Sequence, residues 1–419
     1  MYYKAKIDII SISNMGYTRS AIKGISWVWL LSILTKLISL TRTVILARLL
    51  LPSQFGIYGI GLLVLSMLEI LTETGINVFL VQQKGNIDRY INSAWIISIF
   101  RGIAIMFIMV ATTPIIIRFF NSPDALSILL LFSIIPFIRG FINPSIAKLQ
   151  KELRFDKEFW FRLSVLSLNT AIAVAFAYYT RSVTSLAFGL IAAAILEIIL
   201  SFVITSPKPA LKLNKNHLFL IFHKGKWITL SGVFSYMYHN VDNIVVAKLL
   251  GTTSLGLYEM AYNIAMIPIT GISDVISRVT FPVYTLISGD KQRLRKAFIK
   301  TMVFISIASV VFGAILFLFT EQLVMVILGE RWIGIVDVLK ILIIFGVIRG
   351  ISGSSSALFL AVKKQKYVTF VTLVSIIGLA VTIIPLVLNF GIYGAGISAL
   401  IGSLAALPFM FYFTFKIIK

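Results

Sequence analysis

The sequence predicts an all-α integral membrane protein of about twelve transmembrane helices in two six-helix lobes, with both termini cytoplasmic. Three observations predict it. Mostly apolar stretches of about 20 residues or more recur, each long enough to cross a hydrocarbon core about 30 Å thick at 1.5 Å per residue. The loops between them alternate between rich and poor in Lys and Arg. The chain also matches itself at an offset of 200 residues.

In order, the first span, 24–46, carries a polar stripe of Ser32, Thr35, Lys36, Ser39, Arg42 and Thr43 at helical spacing. It lacks a small-residue cleavage site and runs into Arg42 and Arg48, so it reads as a retained span. The second, 55–80, places Glu69 and Glu73 four residues apart, with Ser66 and Asn77 on the same face. Spans 94–117, 125–147, 161–179 and 185–204 complete the first half and contain Arg101, Arg139 and Glu197. The seventh, 227–249, repeats the polar stripe as Ser235, His239 and Asp242. Spans 257–287, 297–319, 336–361, 367–388 and 393–415 follow. They hold Glu259, Asp274, Arg278, Asp337, Lys340, Arg349 and a Gly/Ser run over 352–356 suited to close helix contact or local unwinding.

Of 38 Lys and Arg, 26 fall in the N-terminus, the even-numbered loops and the C-terminus, counting Arg162 and Lys300 at the cytoplasmic ends of the adjoining spans. The odd-numbered loops hold Arg48, Arg118, Arg181, Lys248 and Arg331. Positive residues stay in the cytoplasm, which sets the orientation and explains the net charge of +22 as a topology signal plus attraction to anionic lipid. Nucleic-acid binding is thereby excluded. With 58% hydrophobic residues and a mean hydropathy of +0.97, so is a soluble domain. Zero cysteines removes disulfides, thiolate metal sites and cysteine nucleophiles. His217 and His223 lie too far from any carboxylate cluster to read as a metal site.

The internal match pairs ARLLLPSQFGIY (47–58) with AKLLGTTSLGLY (247–258), and Trp27 with Trp227. It falls at the same topological place in each half, the outer turn after the first span. An even number of spans per half gives a parallel repeat, the arrangement of transporters whose lobes rock about a central site. The lobes are read as 1–205 and 227–419, joined by a cytoplasmic loop, 206–226.

The run 44–84, VILARLLLPSQFGIYGIGLLVLSMLEILTETGINVFLVQQK, resembles the signature of Wzx-type polysaccharide-export flippases. The likeness is closest to the WzxC-like branch of the multidrug/oligosaccharidyl-lipid/polysaccharide (MOP) exporter superfamily, a MATE-like fold. It rests on Arg48, Pro52, Phe55-Gly56-x-Tyr58, Glu73 with Gly75, and Leu80-Val81-Gln82, and more loosely on 184–195 and 390–401. Some members carry fourteen spans where twelve are read here. The resemblance implies transfer of a polyprenyl-diphosphate-linked oligosaccharide from the cytoplasmic to the outer leaflet of the cell's inner membrane. It implies membrane lipids, and polymerase and chain-length machinery, as further partners.

Ionisable residues at span centres cost roughly 2.5–3.5 kcal/mol each on insertion scales, so they face a polar interior. A diphosphate needs fixed paired donors, and Arg supplies a planar fork where Lys supplies a point charge. Lys36, Arg42, Arg139 and Arg349 are the diphosphate candidates; the alternative is that Arg42 snorkels outward while the others pair with Glu69, Glu197 or Asp242. Arg101 and Arg278 lie within reach of the cytoplasmic headgroups, which favours snorkelling. Asp242, His239, Glu69 and Glu73 are candidates for gating or for a coupling H⁺ or Na⁺, with structural pairing as the alternative. No other cofactor or metal is expected.

The sequence has no HExxH, GxSxG, P-loop or Asp-x-Asp motif, so it reads as a non-enzyme. A membrane-embedded polysaccharide polymerase or ligase is the rival from another class, disfavoured by the short outer loops. An ion-coupled drug exporter is the nearer rival. A basic cavity favours the flippase and an acidic one the exporter.

Overall fold

The computed structural model describes the backbone of residues 2–73, 75–83, 85–212 and 214–419. Side chains are described there except for 2–25, 215–231, 235, 238, 267, 268, 270, 272, 274, 275, 277–279 and 282. Trp227, Ser235, Asp274, Arg278, His217 and His223 therefore lie outside the described side chains.

The described elements are helices: α1 (Tyr2–Leu49), α2 (Pro52–Leu71), α3 (Ile76–Gln82), α4 (Asp88–Phe120) and α5 (Ala125–Gly140). A 3₁₀ turn (Pro144–Ile146), α6 (Ala147–Lys151), α7 (Phe155–Thr180) and α8 (Thr184–Ile204) follow. Then come α9 (Lys215–Leu286), α10 (Lys291–Leu318) and α11 (Thr320–Leu323). A π-helical turn (Val324–Leu328) and a 3₁₀ helix (Glu330–Ile335) lead into α12 (Val336–Ala361) and α13 (Gln365–Ile418). Among the described residues, eight helices are long and apolar enough to cross a membrane, or nine if α5 and the segment bent from it by 72° form one span. The 72 residues of α9 and the 54 of α13 are each far longer than one crossing needs. Both are broken in the middle, at Gly251 (φ 81°) and Gly391 (φ 59°), in a region of backbone space that residues with a Cβ avoid.

The burial pattern is that of a protein dissolved in lipid. Large apolar side chains such as Phe107, Ile115, Val381 and Leu388 are about two-thirds exposed, while Ala173, Ala177, Ala187 and Ala194 are fully buried. Small residues let α7 and α8 approach closely, the usual driving contact where lipid tails are as apolar as leucine.

By contacts the chain forms two compact units. The first comprises Met1–Leu49, Gly61–Ile117 and Asp124–Tyr236; the second comprises Leu50–Ile60, Arg118–Pro123 and Met237–Lys419. In the first, α1 and α8 pack along α7, and α5 packs against α8. In the second, α10 and α13 pack against α12.

The repeat seen in the sequence is a physical contact within the second unit. A Cβ on Gly56 would collide with the Thr252 carbonyl, and one on Gly256 with the Pro52 carbonyl. Since 52 and 252, and 56 and 256, are equivalent at the repeat offset, the two segments touch reciprocally, as surfaces related by a two-fold axis must. Phe55 adds an edge-on contact to Trp332, with ring centroids 5.1 Å apart. That contact is why residues 50–60 group with the second unit.

The segment between α8 and α9 is fastened within the first unit. Asn143 Nδ2 (3.2 Å) and Ser145 Oγ (2.8 Å) donate to the Pro207 carbonyl, and Lys148 Nζ donates to the Ser206 carbonyl at 2.7 Å. The Ala210 N–H donates to Asn92 Oδ1 at 2.9 Å.

Candidate functional site

The second predicted span is not one helix. α2 ends at Leu71 and the chain resumes helix only at Ile76, past Gly75. Thr72 Oγ1 bonds back to the Leu68 carbonyl (2.6 Å), and Glu73 Oε1 accepts the Gly75 N–H (2.9 Å). These side chains offer the backbone an alternative to continuing the helix. Glu69, Glu73 and Asn77 therefore do not lie along one helix face, contrary to the sequence expectation.

This break re-aims Arg101. A helix end leaves carbonyls without intrahelical partners and carries partial negative charge. Arg101 Nη2 donates to the Glu69 carbonyl (2.7 Å), and Nε donates to Thr72 Oγ1 (3.2 Å). Nη2 also lies 3.5 Å from Glu73 Oε2. Arg101 thus caps α2 instead of snorkelling to the headgroups as its sequence depth suggested.

Arg139, in the last turn of α5, sits between two carboxylates: Glu197 Oε2 at 3.3 Å and Glu69 Oε1 at 3.6 Å. On α7, Glu158 Oε1 accepts from Arg162 Nε (2.8 Å) and from Gln150 Nε2 (2.9 Å). These groups line one cavity of about 620 Å³ in the first unit, with Thr35 and Ser39 of α1 in its wall. Three arginines there face four glutamates, so this cavity is not the basic pocket anticipated for a flippase. Glu158 and Arg162 were missed as site residues because their position at a span entrance reads as ordinary cytoplasmic charge. The i, i+4 spacing of Glu158 and Arg162 was the available signal.

Lys36 and Arg42 are half-buried on α1 but line neither this cavity nor the one below, and neither forms an ion pair among the described residues.

In the second unit, His239 and Asp242 take different partners. Asp242 is buried, accepting from the Tyr258 hydroxyl at 2.9 Å through Oδ2 and from the Asn243 N–H at 2.9 Å through Oδ1. His239 Nδ1 lies 3.2 Å from Arg349 Nη2, and Arg349 Nη1 donates to the Tyr262 hydroxyl at 2.8 Å. The Arg349 guanidinium lies 5.8 Å from the Phe345 ring centre. Arg349 and His239 line a cavity of about 470 Å³ with Ser273, Ser352, Ser356 and Ser375, and no acidic side chain among the described residues lines it. Among the described residues, no group of His, Asp and Glu could hold a metal ion.

A bundle of lipid-facing helices, with ionisable side chains turned into an internal cavity in each unit, defines a multi-pass membrane protein. Its backbone superposes on the lipid II flippase MurJ in its inward closed conformation with a TM-score of 0.74 at 15% identity, covering 93% of this chain and 88% of that one. An inward-facing multidrug resistance MATE family transporter of the MOP superfamily gives 0.70 at 15% identity, with 91% and 94% covered. The chain belongs to the polysaccharide biosynthesis protein family, which matches residues 45–337. It is 25% identical to the lipopolysaccharide biosynthesis protein WzxC of Escherichia coli K12, over 83% of this chain and 71% of that protein. An uncharacterized membrane protein in the cps region of Klebsiella pneumoniae is 28% identical over 84% and 73%. The teichuronic acid biosynthesis protein TuaB of Bacillus subtilis is 21% identical over 82% and 72%.

Proposed function

We propose that this protein is a lipid-linked oligosaccharide flippase. It moves polyprenyl-diphosphate-linked repeat units from the cytoplasmic to the outer leaflet of the inner membrane by alternating access, without covalent chemistry, for surface polysaccharide biosynthesis. Membership of the polysaccharide biosynthesis family over residues 45–337, in a multi-pass fold that a lipid II flippase also adopts, carries this reading. In it the chain crosses the membrane twelve times, α9 and α13 twice each, with both termini cytoplasmic. The cavity of the first unit then lies near the basic, cytoplasmic end, beside Lys148 and Lys151. Polymerase and chain-length proteins act downstream as partners, and a proton or Na⁺ gradient supplies any coupling.

For the diphosphate, the cavity holding Arg349 offers a forked guanidinium and serine hydroxyls without a competing carboxylate among its described lining residues. Deleting the gene should leave lipid-linked repeat units on the cytoplasmic leaflet and abolish the surface polysaccharide. Unchanged polysaccharide in a strain with no second flippase would overturn the reading. The four glutamates of the first cavity favour a second reading, export of organic cations. Efflux of a cationic dye by the purified protein in vesicles, with no effect of deletion on polysaccharide, would establish that one instead.

A further inference from the structure

Resting on that reading, we propose that the cavity of the first unit binds the sugar hydroxyls of the cargo, and that its arginines do not bind the diphosphate. Each arginine is already engaged: Arg139 with Glu69 and Glu197, Arg162 with Glu158, and Arg101 with Glu73 and the end of α2. A diphosphate that took any of these guanidiniums would displace a carboxylate and leave it facing a second anion. With four glutamates against three arginines the site cannot compensate that charge.

A sugar makes the opposite demand. Each hydroxyl donates one hydrogen bond and accepts others, and an Arg–carboxylate pair presents donor and acceptor at fixed spacing. Each carboxylate oxygen keeps lone pairs free after meeting an arginine, so it accepts from a hydroxyl without giving up its partner. The paired groups remain within reach of a ligand: Glu69 and Arg139 are about one-third exposed and Glu197 one-fifth. Asn169, in the same wall and 8% exposed, leaves its side-chain oxygen without a partner. Phe161 and Val165, both part-exposed, add apolar surface against which the C–H face of a ring can lie. The volume of about 620 Å³ is within the range that holds a ligand of drug size.

The test uses the full chain in lipid nanodiscs and three probes. These are undecaprenyl diphosphate, the same lipid bearing a neutral disaccharide of N-acetylglucosamine and a hexose, and tetraphenylphosphonium. The wild type should bind the glycosylated lipid about tenfold or more tighter than the bare one, about 1.4 kcal/mol. Glu197→Gln and Glu158→Gln should each weaken binding of the glycosylated lipid and bring the preference below about threefold, without weakening the bare lipid. Glu158→Gln, in the first turn of α7, carries the test if Glu197→Gln does not fold. Equal weakening of both lipids, or a preference that survives in the folded variants, overturns the proposal. A wild type that binds tetraphenylphosphonium and neither lipid overturns the flippase reading itself, and the sugar site with it.

Discussion

Arg42 and Lys36 are the cations of the polar stripe on α1; they line neither cavity, and in the flippase reading they meet the headgroup only in transit. Arg42→Ala removes a charge-assisted, bidentate donor, a class of bond worth roughly 1.5–3 kcal/mol. Transport should fall about tenfold or more, and Arg42→Lys should recover only part, since it restores charge without the fork. Wild-type rates of repeat-unit translocation in both Arg42→Ala and Lys36→Ala would make the stripe structural. Arg101→Ala belongs to a different physics. It strips the end of α2 of a carbonyl cap, and with the side chain about one-quarter exposed the loss should be on the order of 1–2 kcal/mol, read as a lower Tm. The pairing of Arg139 with Glu69 and Glu197 was legible as an alternative because ions within a membrane seek one another. Arg101 was misread because its place near the cytoplasmic end of the third span gave no sign that the second breaks beside it and offers it a free carbonyl. The break depends on Thr72 and Glu73 bonding to nearby backbone, and hydropathy does not register such bonds.

At the scale of elements, ten of the twelve apolar stretches run on helix nearly throughout, those at 55–80 and 125–147 are interrupted, and the turns at 50–51 and at Gly251 sit at equivalent positions of the repeat. Both were legible because hydropathy and self-similarity report burial in lipid directly. What the pattern could not carry was the sharp bend after α5 or the anchoring of residues 206–210, since both depend on contacts distant in sequence. The reciprocal glycine crossing gives a sharp prediction. Gly56→Ala and Gly256→Ala each force a methyl into backbone and should cost on the order of 1–3 kcal/mol. Gly289→Ala, with open space around its Cβ, should shift stability by no more than about 0.5 kcal/mol. Thermal unfolding of the purified protein in one detergent checks all three, and equal Tm values would dismiss the crossing as a constraint. Asn143→Ala removes the donor to Pro207 and the acceptor for the Ser145 N–H, and should raise amide exchange across 205–212 without altering that of α10.

For the whole molecule, the reading depends on whether α9 and α13 each cross twice. A straight helix of 54 residues would be about 80 Å long at 1.5 Å per residue, against a hydrocarbon core of about 30 Å. The breaks at Gly251 and Gly391 fall where a return turn is needed, and the nearby basic residues are sparse, as the outer side demands. The absence of cysteine makes this directly measurable, because a single introduced thiol has no background. Thr253→Cys and Asn389→Cys, both exposed, should react with a membrane-impermeant maleimide on intact cells. Ser288→Cys and Gln365→Cys, exposed at the opposite ends of the same helices, should react only after the membrane is opened. Reaction of all four from outside, or protection of Thr253→Cys and Asn389→Cys until lysis, would remove two return crossings. The six-plus-six parallel repeat on which alternating access is built would go with them.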